Sequence, residues 1–128
     1  MSDDKREVSR KGLKATKELG IARIKRHILL CGGPDCCREK EGDAAWDYLK
    51  KRCKEVNAAA SKDEVLFRCK VKCLRVCNDG PLAVVYPDGV WYHHVDCEAI
   101  DRIIDEHILG DRVVEDLVLE REGRPEGK

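Results

Sequence analysis

The chain has 128 residues, enough for one domain, and its 25 basic residues balance 25 acidic ones to a net charge of zero. This neutrality argues against nucleic acid as the main partner, because phosphate-binding surfaces need an excess of basic residues. The chain has neither the roughly 18 to 20 consecutive apolar residues of a membrane span nor the apolar core of a secretory signal, so we expect a cytoplasmic protein.

The N-terminal half shows one strand, one helix and a second strand. Residues 1–25 are polar with a weak helical pattern, which indicates an extension that ends in a short helix. A short apolar run at 27–31 predicts a buried strand. Apolar residues at spacings of three and four over 43–56 predict a helix. Residues 57–63 are a predicted linker, and residues 65–69 form a second predicted strand.

The C-terminal half begins with a predicted loop at 70–80. Two β-rich runs, 81–86 and 90–92, then flank Pro-Asp-Gly, a turn sequence that favours a hairpin. Asp96 is the predicted N-cap of a helix that carries several isoleucines, and Gly110 is its predicted C′ residue.

The order of elements is typical of an α/β fold. The first strand, helix and second strand suit a parallel βαβ unit, and the hairpin adds antiparallel strands, which gives a small mixed sheet with two main helices. Residues 113–119 are a short terminal strand or an extended arm. We expect one domain over residues 26–119, preceded by the polar extension 1–25 and followed by the tail 120–128.

Five of the eight cysteines lie in two short clusters. Cys31 and the doublet Cys36-Cys37 follow the first strand, and Cys73 and Cys77 lie in the second loop. Without an export signal, this density favours metal or redox chemistry over disulfides. An iron–sulfur cluster needs four thiolates that converge on one small volume. If both loops leave the same end of the sheet, their cysteines can reach one site.

Basic residues surround both cysteine clusters. Arg38 and Lys40 follow the first cluster, and Lys72 and Arg75 are among the cations interleaved with the second, together with Arg68 and Lys70. Nearby cations favour thiolates and a negatively charged cluster. An equally consistent interpretation is that these are exposed loop charges in a chain that is rich in charge.

Three segments together resemble a known family. They are the run VCNDGPLAVVYPDGVWY at 76–92, the run RHILLC at 26–31 and the helix that carries His107. These closely resemble the thioredoxin-like 2Fe–2S ferredoxins over roughly residues 27–119, and are similar to the 2Fe–2S subunit of bacterial respiratory complex I. The resemblance implies a thioredoxin-like fold, a homodimer and one 2Fe–2S cluster per chain held by four cysteines near the surface.

The resemblance also implies which cysteines bind the cluster. Cys73 and Cys77 match the second ligand pair, and Cys31 matches the first ligand. The loop to the remaining ligand is shorter than in many members of the family. Cys37 keeps the register to the following helix, whereas Cys36 gives the C-x4-C spacing of the respiratory subunit. We favour Cys37 as the ligand, with Cys36 as the alternate.

These observations predict an electron carrier rather than an enzyme, with other redox proteins as its partners. One alternative is a structural zinc module that uses the same four cysteines, although two C-x-x-C pairs would be expected for it. Others are a cluster-bearing subunit of a larger oxidoreductase complex and a thiol redox enzyme. The last needs an accessible C-x-x-C motif, which the chain lacks.

The remaining cysteines and histidines need no function. Cys53 occupies an apolar helix position, Cys97 follows the predicted N-cap, and Cys69 ends a strand near enough to remain a possible ligand. We expect the pair His93-His94 to end a hairpin strand with one ring on each face, and not to bind the cluster.

Overall fold

The computed structural model describes residues 7–33, 37–60, 64–76 and 78–123. Its main elements are helix α1 (Arg10–Leu19), strand β1 (Ile24–Cys31), helix α2 (Glu39–Ala59), strands β2 (Val65–Val71), β3 (Leu82–Tyr86) and β4 (Val90–Tyr92), helix α3 (Cys97–Arg102) and strand β5 (Val118–Arg121). Short 3-10 turns precede β1 and β5, and a π-helical turn (Ile103–Ile108) continues α3. None of the described helices is both long and apolar enough to cross a membrane.

The five strands form one mixed sheet in the order β2-β1-β3-β4-β5. Strands β1 and β2 are parallel, and α2 is the crossover that such a pair requires. The other neighbouring strands are antiparallel, with β3 and β4 joined as the predicted hairpin. The predicted α/β class, the βαβ unit and the hairpin are therefore confirmed.

The ends of the strands bring the two cysteine loops together. Cys31, the last residue of β1, lies opposite Val71 of β2 on one side and Leu82 of β3 on the other. The loop after β1 and the loop after β2 therefore leave the same end of the sheet, as a shared site requires.

Helices α2 and α3 pack on one face of the sheet and build the main core. In α2, Ala45, Leu49 and Cys53 recur every four residues and are buried. They meet Ile28 and Leu30 of β1. Each fully buried Leu or Ile side chain stabilises the fold by about 1.5–3 kcal/mol.

The opposite face of the sheet is defined here as the open face. It carries the alternate residues of the strands, and its half-buried residues include His27, Leu29, Phe67, Tyr86 and Trp91. Among the described residues, α2 and α3 pack only on the other face of the sheet. The strand residues in the main core are those that alternate with the open-face residues.

Several predicted boundaries are wrong: β1 begins at residue 24 rather than 27, α2 begins at 39 rather than 43, and β2 ends at 71 rather than 69. Residues 57–59 belong to α2 rather than to a linker, because the Asn57 side chain donates to the Leu66 carbonyl at 3.0 Å and accepts from the Leu66 N–H at 2.8 Å. The left-handed residue after α3 is Asp111, with φ 55°, rather than Gly110. The π-helical turn shifts the end of the helix by one residue.

A buried hydrogen-bond network joins the hairpin to the helical layer. The Tyr92 hydroxyl accepts from the Val114 N–H at 3.1 Å and lies 2.8 Å from His107 Nδ1, and His107 Nε2 lies 2.7 Å from Asp88 Oδ2. Burial alone would raise the pKa of Asp88, but hydrogen bonds from His107 and Arg26 outweigh burial and lower that pKa. An ionised Asp88 accepts, so His107 Nε2 donates, and in the neutral imidazole Nδ1 accepts from the Tyr92 hydroxyl.

Replacing His107 with leucine should destabilise the fold by about 3 kcal/mol, because a buried hydroxyl and a carboxylate oxygen each lose a partner. His107 is only 1% exposed and Tyr92 is fully buried, so water cannot replace the lost partner of the Tyr92 hydroxyl without local opening. The free energy of unfolding from urea titration checks this. The control His93→Leu, at a half-exposed site, should change it by less than about 0.5 kcal/mol. Equal stability of both variants would contradict the prediction.

Candidate metal centre

Cys31 and Cys37 lie in one small apolar cluster at the end of the sheet. Cys31 is 3% exposed and packs on the fully buried Leu82. Around Cys31 and Leu82 lie half-buried side chains from the two loops, from the end of β2 and from β5: Cys37, Val71, Leu74 and Leu119. Two of the predicted ligands thus share one apolar environment, in which Cys31 is buried and Cys37 is half-buried.

Glycines allow the first loop to lie close to α2. Gly33 has φ 95°, and a Cβ there would lie 2.6 Å from the Cys37 carbonyl oxygen. A Cβ on Gly42 would lie 1.8 Å from the Gly32 carbonyl oxygen, a contact that no side chain can make. Glycine at these positions brings the first turn of α2 against the loop. The positive end of the helix dipole then lies near Cys37 and favours a thiolate.

The second loop contacts the first through its backbone. The Cys31 Sγ lies 4.0 Å from the Lys72 carbonyl oxygen, immediately before Cys73 in sequence. Cys73 is exposed, and the Arg75 N–H donates to the Cys73 Sγ at 3.1 Å. Arg75 has φ 74°, so the loop turns sharply here to aim its N–H at the sulfur.

Cys36 and Cys77 lie outside the described residues. Among the residues that are described, no three His, Cys, Asp or Glu side chains are close enough to hold a metal ion. The chemistry of the donor set nevertheless fits an iron–sulfur centre. Cys31, Cys37 and Cys73 all come from the two loops at one end of the sheet, and thiolate ligands select iron–sulfur clusters or zinc.

The other cysteines are held elsewhere. Cys53 is fully buried, and burial raises the pKa of its thiol to about 11, as expected for an inert core residue. Cys97 lies at the start of α3, and its Sγ is 3.9 Å from the carbonyl oxygen of Ala44 in α2. The Cys69 Sγ lies 3.3 Å from His27 Nε2 on the open face, further from the strand ends than Cys31.

Two of the basic residues near the cysteines face α2 instead. The Arg68 guanidinium lies 5.9 Å from the centre of the Trp46 ring, and Lys70 pairs with Asp43 at 3.1 Å. The alternation of side chains along β2 explains this, because both residues lie on the helical side of the strand. The cations that remain in the second loop are Lys72 and Arg75.

The expected arrangement of His93 and His94 is wrong. Both residues follow β4, and their rings contact one another with centroids 4.8 Å apart. The two Nδ1 atoms are 2.6 Å apart, so one donates and the other accepts. His94 has φ 50°, and this left-handed backbone ends the alternation that the sequence argument assumed.

Sequence reasoning missed two features of the site. The available indication of close packing against the loop was Gly42, a glycine immediately before the predicted helix that lies within α2 in the structure. The N–H donor of Arg75 gave no indication, because its direction depends on the backbone of the loop and not on a residue type.

Comparison with known proteins gives a consistent result, although no family model matches the chain. The chain is 30% identical over 100 residues to "Ferredoxin, 2Fe-2S" of Clostridium pasteurianum, covering 73% of this chain and 94% of that protein. It is 47% identical over 55 residues to "Ferredoxin, 2Fe-2S" of Aquifex aeolicus, covering 43% of this chain. It spans 49% of the length of that Aquifex protein and 63% of a relative from Priestia megaterium.

Among solved structures, the chain resembles a thioredoxin-like [2Fe-2S] ferredoxin from Aquifex aeolicus, with a TM-score of 0.61 and 28% identity. The match covers 80% of this chain and 96% of that structure. This agrees with the thioredoxin-like fold expected from the sequence.

Proposed function

The chain belongs to the thioredoxin-like 2Fe–2S ferredoxin family, and from this we propose that it is a one-electron carrier with one 2Fe–2S cluster held by Cys31, Cys37, Cys73 and Cys77. The observation that carries the proposal is the approach of the two cysteine loops, where the Cys31 Sγ lies 4.0 Å from the Lys72 carbonyl oxygen. When bound, the cluster supplies one-electron oxidation and reduction; the chain performs no chemistry on a substrate.

The residues of the site would stabilise the added negative charge of the reduced state. The Arg75 N–H points at the Cys73 sulfur at 3.1 Å, and such hydrogen bonds favour the more negative form of a thiolate centre. The N-terminus of α2 acts in the same direction. Cys31 is buried while Cys73 is exposed, so the second loop offers a partner protein access to the site.

For the second ligand we propose Cys37, with Cys36 as the alternate. Cys37 is supported by its packing in the same cluster as Cys31. Cys37→Ala should therefore lower the iron content of the purified protein or change its visible spectrum, whereas Cys36→Ala should leave both unchanged. Iron assay and absorption of the two variants, prepared in parallel, check this. Loss of iron in Cys36→Ala alone would assign the ligand to Cys36.

We further propose that the protein is cytoplasmic and a homodimer, with larger redox proteins as its partners. The cluster-bearing domain is built on residues 26–119, and the outer ends of β1 and β5 extend it to residues 24 and 121. The half-buried aromatic residues of the open face support dimerisation, because a contiguous apolar surface is typical of an interface. Docking of redox partners at the cysteine loops would be weak and brief.

The test is anaerobic purification, followed by a visible spectrum, assays for iron, sulfide and zinc, and an EPR spectrum after reduction with dithionite. We expect red-brown protein with about two irons and two sulfides per chain, and an S = 1/2 signal in the reduced state. A colourless protein with about one zinc per chain would overturn the proposal in favour of a structural zinc site.

A further inference from the structure

Helix α1 is complete in itself, yet it has no partner in the described chain. The Ser9 Oγ accepts from the Gly12 N–H at 3.0 Å at its start, and Gly20, with φ 73°, closes its end by donating to Lys17 and Thr16. None of its residues is buried. A helix of ten residues is marginal in water without tertiary packing, so its helical pattern and its caps indicate a surface that it packs against.

The region around α1 is apolar on one side and basic on the other. Four of the six exposed large hydrophobic residues in the described chain lie here: Val8, Leu13, Leu19 and Ile21. Helical spacing places Arg10, Lys14 and Lys17 together on another side. Residues 7–26 hold seven basic and two acidic side chains, which gives this segment a net charge of +5. Because the whole chain is neutral, the remaining residues carry a net charge of −5. The surface that receives α1 should therefore be apolar with an acidic border.

The connection to β1 prevents α1 from covering its own sheet. Only residues 20–23 separate the two elements, and they consist of the left-handed Gly20 and one 3-10 turn. Gly20 is buried beside β2, since a Cβ there would lie 3.1 Å from Val65 Cγ2. The C-terminal end of α1 is thus fixed at the edge of the sheet, and the helix could turn onto the open face of its own chain only by breaking this turn.

The open face has the chemistry that α1 requires. Its floor is formed by half-buried Leu29, Phe67 and Trp91. Its border on the β5 side is acidic: Glu122 accepts hydrogen bonds from the Tyr86 hydroxyl and from Trp91 Nε1, the latter at 2.9 Å, and Glu120 lies opposite Trp91 in the sheet. The hydrogen bond from Tyr86 lowers the pKa of Glu122, which keeps this carboxylate charged.

We propose that α1 of each protomer packs on the open face of a second copy of the chain, with its apolar side on the aromatic floor and its lysines beside Glu120 and Glu122. A two-fold dimer makes this contact twice, because each protomer donates one helix and receives one. The proposal rests on the proposed homodimer and names the surfaces that form it. The net charge of −5 outside residues 7–26 opposes docking of α1 on an anionic lipid surface.

The test is a charge exchange followed by sedimentation equilibrium of the cluster-loaded, full-length protein. One variant, Lys14→Glu/Lys17→Glu, makes the helix acidic; the other, Glu120→Lys/Glu122→Lys, makes the border basic. Each alone should dimerise at least tenfold more weakly than the parent, because both contacts become repulsive. Mixed in equal amounts, the two should form a heterodimer within about threefold of the parent affinity, because both contacts become attractive again.

A matched control carries the same charge change elsewhere: Lys51→Glu/Lys54→Glu on the exposed side of α2 should leave dimerisation unchanged. If the α1 variant dimerises as well as the parent, or if mixing does not restore association, this use of α1 is excluded while the ferredoxin assignment stands. If the parent is a monomer at all concentrations, the dimer itself is excluded. The visible spectrum reports cluster loading independently in every sample.

Discussion

Replacing Cys73 with alanine should remove most of the iron from the purified protein, roughly tenfold or more. Loss of a hydrogen-bond partner behind a metal ligand already costs 10- to 100-fold in affinity, so loss of a ligand should cost at least as much. Cys73 is exposed and belongs to no core cluster, which means that the polypeptide should still fold. The measurement is iron and sulfide per chain, with far-UV circular dichroism as the test of folding.

The matched control for this prediction is Cys97→Ala. Cys97 is half-buried at the start of α3, so the variant removes a thiol without touching either loop. Its iron content and visible spectrum should equal those of the parent. Full colour and iron in Cys73→Ala would show that Cys73 is not a ligand, and equal losses in both variants would point to thiol content rather than ligation as the cause.

Replacing Gly42 with alanine should destabilise the protein by about 3 kcal/mol or more and lower its cluster content. In an open helix the same change would stabilise by up to about 1 kcal/mol, because glycine is a poor helix former. Here the new Cβ would lie 1.8 Å from the Gly32 carbonyl oxygen and 2.6 Å from the Gly32 Cα. Both are backbone atoms, so α2 and the loop after Cys31 must move apart.

The free energy of unfolding from urea titration and the iron content of the same sample check this prediction. Gly12→Ala in α1 is the matched control, because it also places alanine in a helix but meets only flexible side chains. That variant should be as stable as the parent or slightly more stable. A Gly42→Ala protein with parent stability and full iron content would contradict the prediction. It would show that the loop after β1 can move away from α2 without loss of stability.

The order of the elements and the presence of a small mixed sheet could be predicted from local sequence patterns. The apolar run at 27–31 and the β-rich runs at 81–86 and 90–92 predict strands, and the Pro-Asp-Gly turn between β3 and β4 fixes an antiparallel hairpin. The N-cap at Asp96 was also predictable, because an aspartate before an apolar helical pattern satisfies the first free N–H groups; its side chain accepts from the Ala99 N–H at 2.9 Å. These are local effects of side-chain type and spacing.

The cysteine spacing likewise indicated the kind of centre, because thiolate density is a property of the chain alone. Placement of the two loops at one end of the sheet followed from the βαβ order. The choice of Cys37 rather than Cys36 as the second cluster ligand stays a prediction, because the spacing allows either residue.

Only the tertiary structure decided the features that depend on atoms distant in sequence. The carboxamide of Asn57 extends α2 through its hydrogen bonds to Leu66. Residue 42 must be glycine because a Cβ there would clash with the carbonyl oxygen of Gly32. The buried position of His107 between Tyr92 and Asp88 joins three elements, and no local pattern encodes such a network. The exposure of α1 and of the open face arises in the same way, because burial is set by what the folded chain brings to each surface rather than by the residue's own neighbours in sequence.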